Sequence, residues 1–292
     1  MSIINGKKIA EEIKSEISNE IKILTDKAGR APGLAVVLVG EDPASQVYVR
    51  MKNKTCEALG IKSIMIKLPG NTSEDELLKE ISRLNNNNEI DGILVQLPLP
   101  SHINEAKVIE TIDPNKDVDG FHPINMGNLV IGKDSFIPCT PYGILELLKR
   151  YKIPTKGQHA VIVGRSNIVG KPLANLLLQK TDFANSIVTV VHSAAKDISQ
   201  FTKEADILIA AMGKPEFITG NMVKNNAVII DVGVNRILDA SLPKGYRLVG
   251  DVKFSEVVNK ASFITPVPGG VGPMTIAMLM KNTLKSFKKR IE

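Results

Sequence analysis

The sequence predicts an α/β protein of two domains, and three observations carry that reading. The chain has 292 residues, enough for about two ordinary domains, each able to bury a core without metal or disulfide support. Short apolar runs alternate with helical patterns from end to end, as in successive βα units. Lastly, Val161-Ile-Val-Gly-Arg-Ser-Asn-Ile-Val-Gly170, followed by Lys171-Pro-Leu-Ala174, reads as a buried strand, a glycine turn and a helix start. That construction presents backbone N–H groups to a phosphate.

From the start of the chain, Ile9, Ile13, Ile17, Ile21 and Leu24 recur at helical spacing, with Asn5 available as a cap. Gly33 to Val39 follows as a buried strand, then a helix over about 43–59, then a strand over Ile61 to Leu68. Ser73-Glu-Asp-Glu76 fits a capping box and opens another helix. Asn85 to Asn88 is a polar turn, and Ile90 to Leu97 is a third strand. Residues 30–112 therefore form a first α/β unit without a glycine fingerprint, the expected substrate half. Residues 113–123 and 137–141 are rich in turn formers and suit a linker along a cleft. A helix near 142–151 leads into the nucleotide half, where 187–191, 205–210 and 227–231 are further short strands. A last apolar helix, Met274 to about Phe287, follows and is expected to pack back on the first half.

The nucleotide is specified by what stands at the end of the second strand of that half. A unit of this kind that binds NAD usually ends its second strand, about 20 residues past the glycines, in Asp or Glu to hold the ribose 2′-hydroxyl. Here the strand ends in His192-Ser193, and Arg165, just past Gly164, is a ready partner for a 2′-phosphate. The cofactor read from these residues is NADP. The pattern is not the full three-glycine fingerprint, since Ser166 stands where close backbone approach favours no side chain. A plain α/β turn gives the same letters.

Hydrophobic residues make up 43% and charged ones 23%, and no apolar stretch nears the ~20 residues a membrane helix needs. With no charged-then-apolar pattern at the start, a cytoplasmic location is expected. Cys56 and Cys139 lie far apart with no second thiol near either, so neither a metal site nor a disulfide is expected. The net charge of +6 owes much to Lys281, Lys285, Lys288, Lys289 and Arg290. A solvated helix face explains them, and attraction of an anionic substrate is compatible with them. Without aromatic-rich or repeated basic motifs, partners among nucleic acids or membranes are not expected.

Four segments of the substrate half and its surroundings carry polar or conformationally special residues that packing alone does not ask for. In Ser45-Gln-Val-Tyr-Val-Arg-Met-Lys52, Tyr48 and Lys52 are four apart on one helix face, where a flat ring fits under the phenol beside the ammonium. A solvated lysine next to a half-buried tyrosine gives the same pattern, and Lys54 competes on another face. Asp91 to Pro100 ends an apolar strand in Gln96, an amide at the carboxyl end of a parallel strand where such sheets bind ligands. Lys116-Asp-Val-Asp119 places two carboxylates around one valine, though paired acids in loops also serve as turn formers. Ile264 to Thr275 holds three glycines and three prolines, a rigid loop that a ligand can approach closely.

Taken together, Tyr48 to Lys52, Asp91 to Pro100, Lys116 to Pro123, Pro138 to Pro141, Gly164 to Gly170, Ile230 to Asn235 and Thr265 to Thr275 resemble the bifunctional methylenetetrahydrofolate dehydrogenase/methenyltetrahydrofolate cyclohydrolases. The resemblance runs in order over essentially the whole chain. It implies a catalytic folate-binding domain over 1–140, to which 272–292 return, and a Rossmann-like NADP domain over 141–271. It also implies a homodimer that acts on tetrahydrofolate derivatives in one-carbon metabolism. Hydride passes from 5,10-methylenetetrahydrofolate to NADP, and water then opens the methenyl cation to 10-formyltetrahydrofolate. By the family motifs, Lys52 is catalytic, Tyr48 stacks on the folate, Gln96 positions the lysine and Asp119 hydrogen-bonds the pterin. Pro268 and Gly272 border the folate, Thr275 lies near the nicotinamide, and Gly164, Arg165, Ser166, Ser193 and the backbone around Val234 fall on NADP positions.

The two steps ask different things of these residues. Hydride transfer chiefly needs the donor carbon held in place. Hydrolysis needs a group that manages protons around water, and a lysine does so only when poorly solvated or beside another cation. Lys52 is therefore expected to be shielded and near Gln96. Three rivals remain: a monofunctional dehydrogenase, a shikimate-type NADP dehydrogenase, and a module that senses NADP without turnover. The Pro-Gly-Gly-Val-Gly-Pro loop disfavours the second, and Lys52 with Gln96 disfavours the third.

Overall fold

In the computed structural model, which describes residues 2–242 and 245–292, strand β1 (Ser2–Ile3) and helix α1 (Gly6–Ala28) open the chain. There follow β2 (Gly33–Val39), α2 (Pro43–Leu59), β3 (Lys62–Leu68), α3 (Glu74–Asn85) and β4 (Gly92–Val95). Helices α4 (Glu105–Thr111), α5 (Pro123–Val130) and α6 (Cys139–Arg150) lead to β5 (His159–Val163), α7 (Gly170–Leu177), β6 (Ile187–Val191), α8 (Ser199–Thr202), β7 (Ile207–Ala210) and β8 (Val228–Asp231). The chain closes with β9 (Asn235–Leu238), β10 (Tyr246–Val249), α9 (Phe254–Val257), β11 (Phe263–Ile264) and α10 (Val271–Ile291). It divides into two units, Met1–Glu11 with Thr140–Thr275, and Glu12–Cys139 with Ile276–Glu292. The chain passes between them inside α1, at the start of α6 and inside α10.

In the unit holding β2, a parallel sheet is ordered β3-β2-β4, and every residue of the central β2 is buried. Both faces must therefore be apolar, which is why the strand reads as a continuous hydrophobic run rather than an alternating one. Leu77, Ile81 and Leu84 of α3 close one face at helical spacing over Ala35, Val37 and Ile93. Each such side chain contributes roughly 1.5–3 kcal/mol by leaving water. The ends of α2 are set locally: Asp42 accepts the Ser45 N–H at 2.7 Å, Pro43 fills the first turn, and Gly60 ends the helix at φ 79. Ser73 and Glu76 form the expected capping box.

The other unit is built on a six-stranded parallel sheet, ordered β1-β11-β8-β7-β5-β6. After β5 the chain adds β6 on one side and then β7 on the other, so a crevice opens beyond the carboxyl ends of β5 and β7, where doubly wound sheets bind ligands. Val161, Val163, Leu208, Ala210, Ile229 and Ile264 are among its buried core.

Several elements depart from the sequence expectation for physical reasons. Helix α10 begins at Val271 rather than Met274, so Gly272 and Pro273 lie in its first turn, where proline's missing N–H forfeits no bond. Between the two stretches expected as linker lies α5, capped by the His122 ring, whose Nδ1 accepts the Ile124 N–H at 3.1 Å. Strand β4 stops at Val95, short of Leu97. Strand β1 is too short to leave a periodic signal, and the antiparallel pair β9 and β10 also escapes the pattern. Both thiols are free and buried, and no helix of the described residues is long and apolar enough to cross a membrane.

Candidate active site

Helix α2 buries Ser45, Val49, Lys52, Cys56 and Leu59, a stripe at three- and four-residue spacing, so Lys52 occupies a core-facing position. The residue is only 9% exposed. An ammonium so placed needs a partner, and Lys52 Nζ donates to Gln96 Oε1 at 2.9 Å. Gln96 is held in turn. Its backbone N–H continues the sheet by donating to Val37 O at 2.8 Å, and its Nε2 donates to Leu97 O at 2.7 Å. With the amide orientation used up in this way, Oε1 is left facing the lysine. Tyr48, one turn earlier on α2, is exposed.

Asp117 and Asp119 do different work. Asp117 is buried and accepts the N–H groups of Gly120, Phe121 and His122 and the Asn125 amide, the last at 2.9 Å. It organises the turn. Asp119 is half-buried, its pKa raised by loss of solvation, lowered by the charge of Lys52, raised by Asp117 and lowered by a hydrogen bond from Cys139. Lys52, Gln96, Asp119 and Cys139 thus gather in one unit. Cys139 was not singled out from the sequence as a site residue. Burial, then the nearby Asp119 charge, pushes its thiol well above the usual range, so it stays protonated.

Gly164, Arg165, Ser166 and Ser193 line one cavity of about 300 Å³ at the carboxyl ends of β5 and β7, together with His192 and Lys214. The backbone there is tight. A Cβ on Gly164, whose φ is 132, would meet Ala211 O at 2.2 Å, and one on Gly170 would meet Gly164 O at 2.2 Å. Ser166 Oγ accepts the Val169 and Gly170 N–H groups at 3.2 and 3.4 Å, so the side chain at the unexpected position caps the helix entry. His192 Nδ1 accepts the Ala194 N–H at 3.3 Å. No carboxylate lines the cavity, and its cations suit a nucleotide phosphate.

The remaining candidates lie elsewhere. Val234 is exposed in the loop after β8 and does not line that cavity. Thr275 shares a 2.9 Å hydrogen bond with Thr140. Pro268 precedes α10 and is exposed, and Gly272 is in the first turn of that helix. Behind the β8 loop lies a pair the sequence reading missed. Asp231 accepts the N–H groups of Gly233, Asp251 and Val252, while Asp251 accepts those of Met212 and Gly213 and the Asn235 amide. A Cβ on Gly233 would strike Asp251, and one on Gly250 would strike Asp231. The only sequence signal was the juxtaposition of each Asp with a glycine nearby, which is too common to single out.

Residues 4–119 match the family described as tetrahydrofolate dehydrogenase/cyclohydrolase, catalytic domain, and residues 138–291 match tetrahydrofolate dehydrogenase/cyclohydrolase, NAD(P)-binding domain. The bifunctional protein FolD of Chlorobium chlorochromatii (strain CaD3) is 59% identical over 291 residues, 99% of each chain. The bifunctional FolD methylenetetrahydrofolate dehydrogenase/cyclohydrolase of Campylobacter jejuni superposes with a TM-score of 0.93 at 48% identity, covering 99% of both chains. The N5,N10-methylenetetrahydrofolate dehydrogenase-cyclohydrolase (FolD) of Trypanosoma brucei, solved with NADP cofactor and an inhibitor, gives a TM-score of 0.93 at 40% identity over 99% of this chain and 98% of that one.

Proposed function

The chain belongs to the tetrahydrofolate dehydrogenase/cyclohydrolase family, and on that premise we infer that it oxidises 5,10-methylenetetrahydrofolate with NADP and hydrolyses the methenyl product to 10-formyltetrahydrofolate. The observation that carries the reading is the 2.9 Å contact of Lys52 with Gln96, beside Asp119, inside the part of the chain that matches the catalytic domain.

NADP, when bound, supplies the hydride acceptor, and Gly164, Arg165, Ser166 and Ser193 are the residues that would hold it. The folate side is the work of Tyr48, Lys52, Gln96 and Asp119. The carboxylate of Asp119 accepts two N–H bonds from the aminopyrimidine edge of the pterin, and the Tyr48 ring lies along the heterocycle. In the second step water adds to the methenyl carbon and loses a proton to give a carbinolamine, whose hydroxyl then loses its proton as the formyl carbonyl forms, while the ring nitrogen takes up a proton as its C–N bond breaks. Lys52 Nζ handles the proton at the attacking oxygen, while Gln96, by accepting one N–H of the lysine, aims the amine. Shielding from bulk water strengthens both interactions. Pro268 and Gly272 bound the folate, and Thr275 and the backbone at Val234 serve the nucleotide, on the strength of the family motifs.

Both halves of the chain match this family, which disfavours a shikimate-type enzyme. A homodimer in the cytoplasm belongs to the same reading, carried by the family resemblance, and analytical ultracentrifugation tests the dimer. The decisive assay mixes the full chain with methylenetetrahydrofolate and NADP and follows methenyl absorbance. Absorbance that rises and then decays faster than the buffer rate is expected. A rise without enzymatic decay would leave a monofunctional dehydrogenase.

A further inference from the structure

The cavity beyond β5 and β7 holds two cations, Arg165 and Lys214, and neither pairs with a described carboxylate. Arg165 comes from the β5 side, directly after Gly164. Lys214 comes from the β7 side, where its Nζ lies 5.5 Å from the centroid of the Phe217 ring. Two like charges that line one cavity repel, and an anion between them relieves the cost.

The wall that carries Lys214 is rigid. The N–H groups of Met212 and Gly213 both donate to Asp251 Oδ2, at 2.7 and 2.8 Å, and Asp251 is fully buried. Gly213 turns the chain at φ 68, and Pro215 confines Lys214 to extended backbone. The backbone that presents the amine is therefore preorganised.

We propose that Lys214 is a second specificity-determining residue for NADP, meeting the 2′-phosphate from the β7 side while Arg165 meets it from the β5 side. The inference rests on the NADP reading above and deepens it. A dianionic phosphate takes charge-assisted bonds from both cations, and NAD, with a hydroxyl in that place, takes neither. Lys214 then acts on nucleotide choice and leaves the folate chemistry untouched.

The experiment is calorimetric titration of the full chain with 2′,5′-ADP and with 5′-AMP, which differ in the 2′-phosphate and need no turnover. The wild-type chain should prefer 2′,5′-ADP. Lys214→Gln should weaken 2′,5′-ADP about tenfold, the size of one lost charged hydrogen bond, and move 5′-AMP less than twofold. Lys214→Arg should restore most of the loss. Lys214 is exposed, so these variants fold, and thermal midpoints close to wild type would verify it. Equal loss for both probes, or loss for neither, would overturn the assignment. A wild-type chain that binds both probes alike would instead bring down the NADP reading, and this inference with it.

Discussion

Lys52 and Gln96, 44 positions apart in the chain, meet at 2.9 Å, with the amide's other end spent on Leu97 O. The contact gives the lysine one partner that cannot take a proton from it, and so it orients the amine without neutralising it. Lys52→Met keeps the bulk and removes the amine. Methenyl hydrolysis should fall by about a hundredfold or more, while the dehydrogenase rate falls less. Stopped-flow decay of methenyl absorbance measures the first and NADPH appearance the second, and undiminished hydrolysis would refute the role.

Asp117 and Asp119 separate by their partners. Asp117→Ala strands four donors in a buried turn, each at roughly 1–3 kcal/mol, so a large drop in thermal midpoint is expected. Asp119→Ala should leave the midpoint near wild type and weaken tetrahydrofolate binding tenfold or more, as seen by calorimetry. Because burial raises the Asp119 pKa, folate binding should also weaken on acidification earlier than an ordinary carboxylate would dictate. Should Asp117→Ala fold well and lose folate while Asp119→Ala keeps it, the two roles are reversed.

Asp231 gives a pH signature of stability. Burial chiefly, and then the facing charge of Asp251, outweigh three backbone hydrogen bonds and push its pKa from 3.8 to about 7. Across that window the folded chain holds a proton that the unfolded chain has released, so stability falls as pH rises toward 7 and the dependence levels above it. Thermal midpoints measured from pH 4.5 to 8, a range chosen to span roughly this window, should show the decline. Asp231→Asn should flatten the slope, whatever it does to the absolute midpoint.

Gly170 is a steric requirement of the nucleotide turn. A methyl there would sit 2.2 Å from Gly164 O, a backbone atom with nowhere to go. Gly170→Ala should cost about 1–3 kcal/mol and displace the start of α7. Fluorescence titration should find NADP binding weakened at least severalfold. A midpoint and an affinity both equal to wild type would show that the turn is looser than the contact distance implies.

Much of the site was legible because its signals are local. Gly164 to Gly170 encodes a turn in a single stretch, and Tyr48 with Lys52 share a helix face by spacing alone. Ser166 was the exception, read as an obstacle to close approach when its hydroxyl in fact receives two N–H groups at the helix entry. Cys139, Lys214 and the Asp231 with Asp251 pair were not read as site residues: Cys139 and Asp231 lie inside segments noted for their resemblance, but what each side chain meets is set by residues distant in the chain.

By itself the sequence determined the α/β alternation, the buried strands and the glycine turn, because these depend on side-chain period and on backbone sterics within a few residues. It also determined the capping box at Ser73, a bargain struck between neighbours. The tertiary structure decided that β1 joins β11, that Lys52 meets Gln96 and that Asp251 braces the turn before Lys214. Each of those contacts joins segments far apart in the chain, and their approach is set by sheet register and core packing, which no single stretch of residues contains.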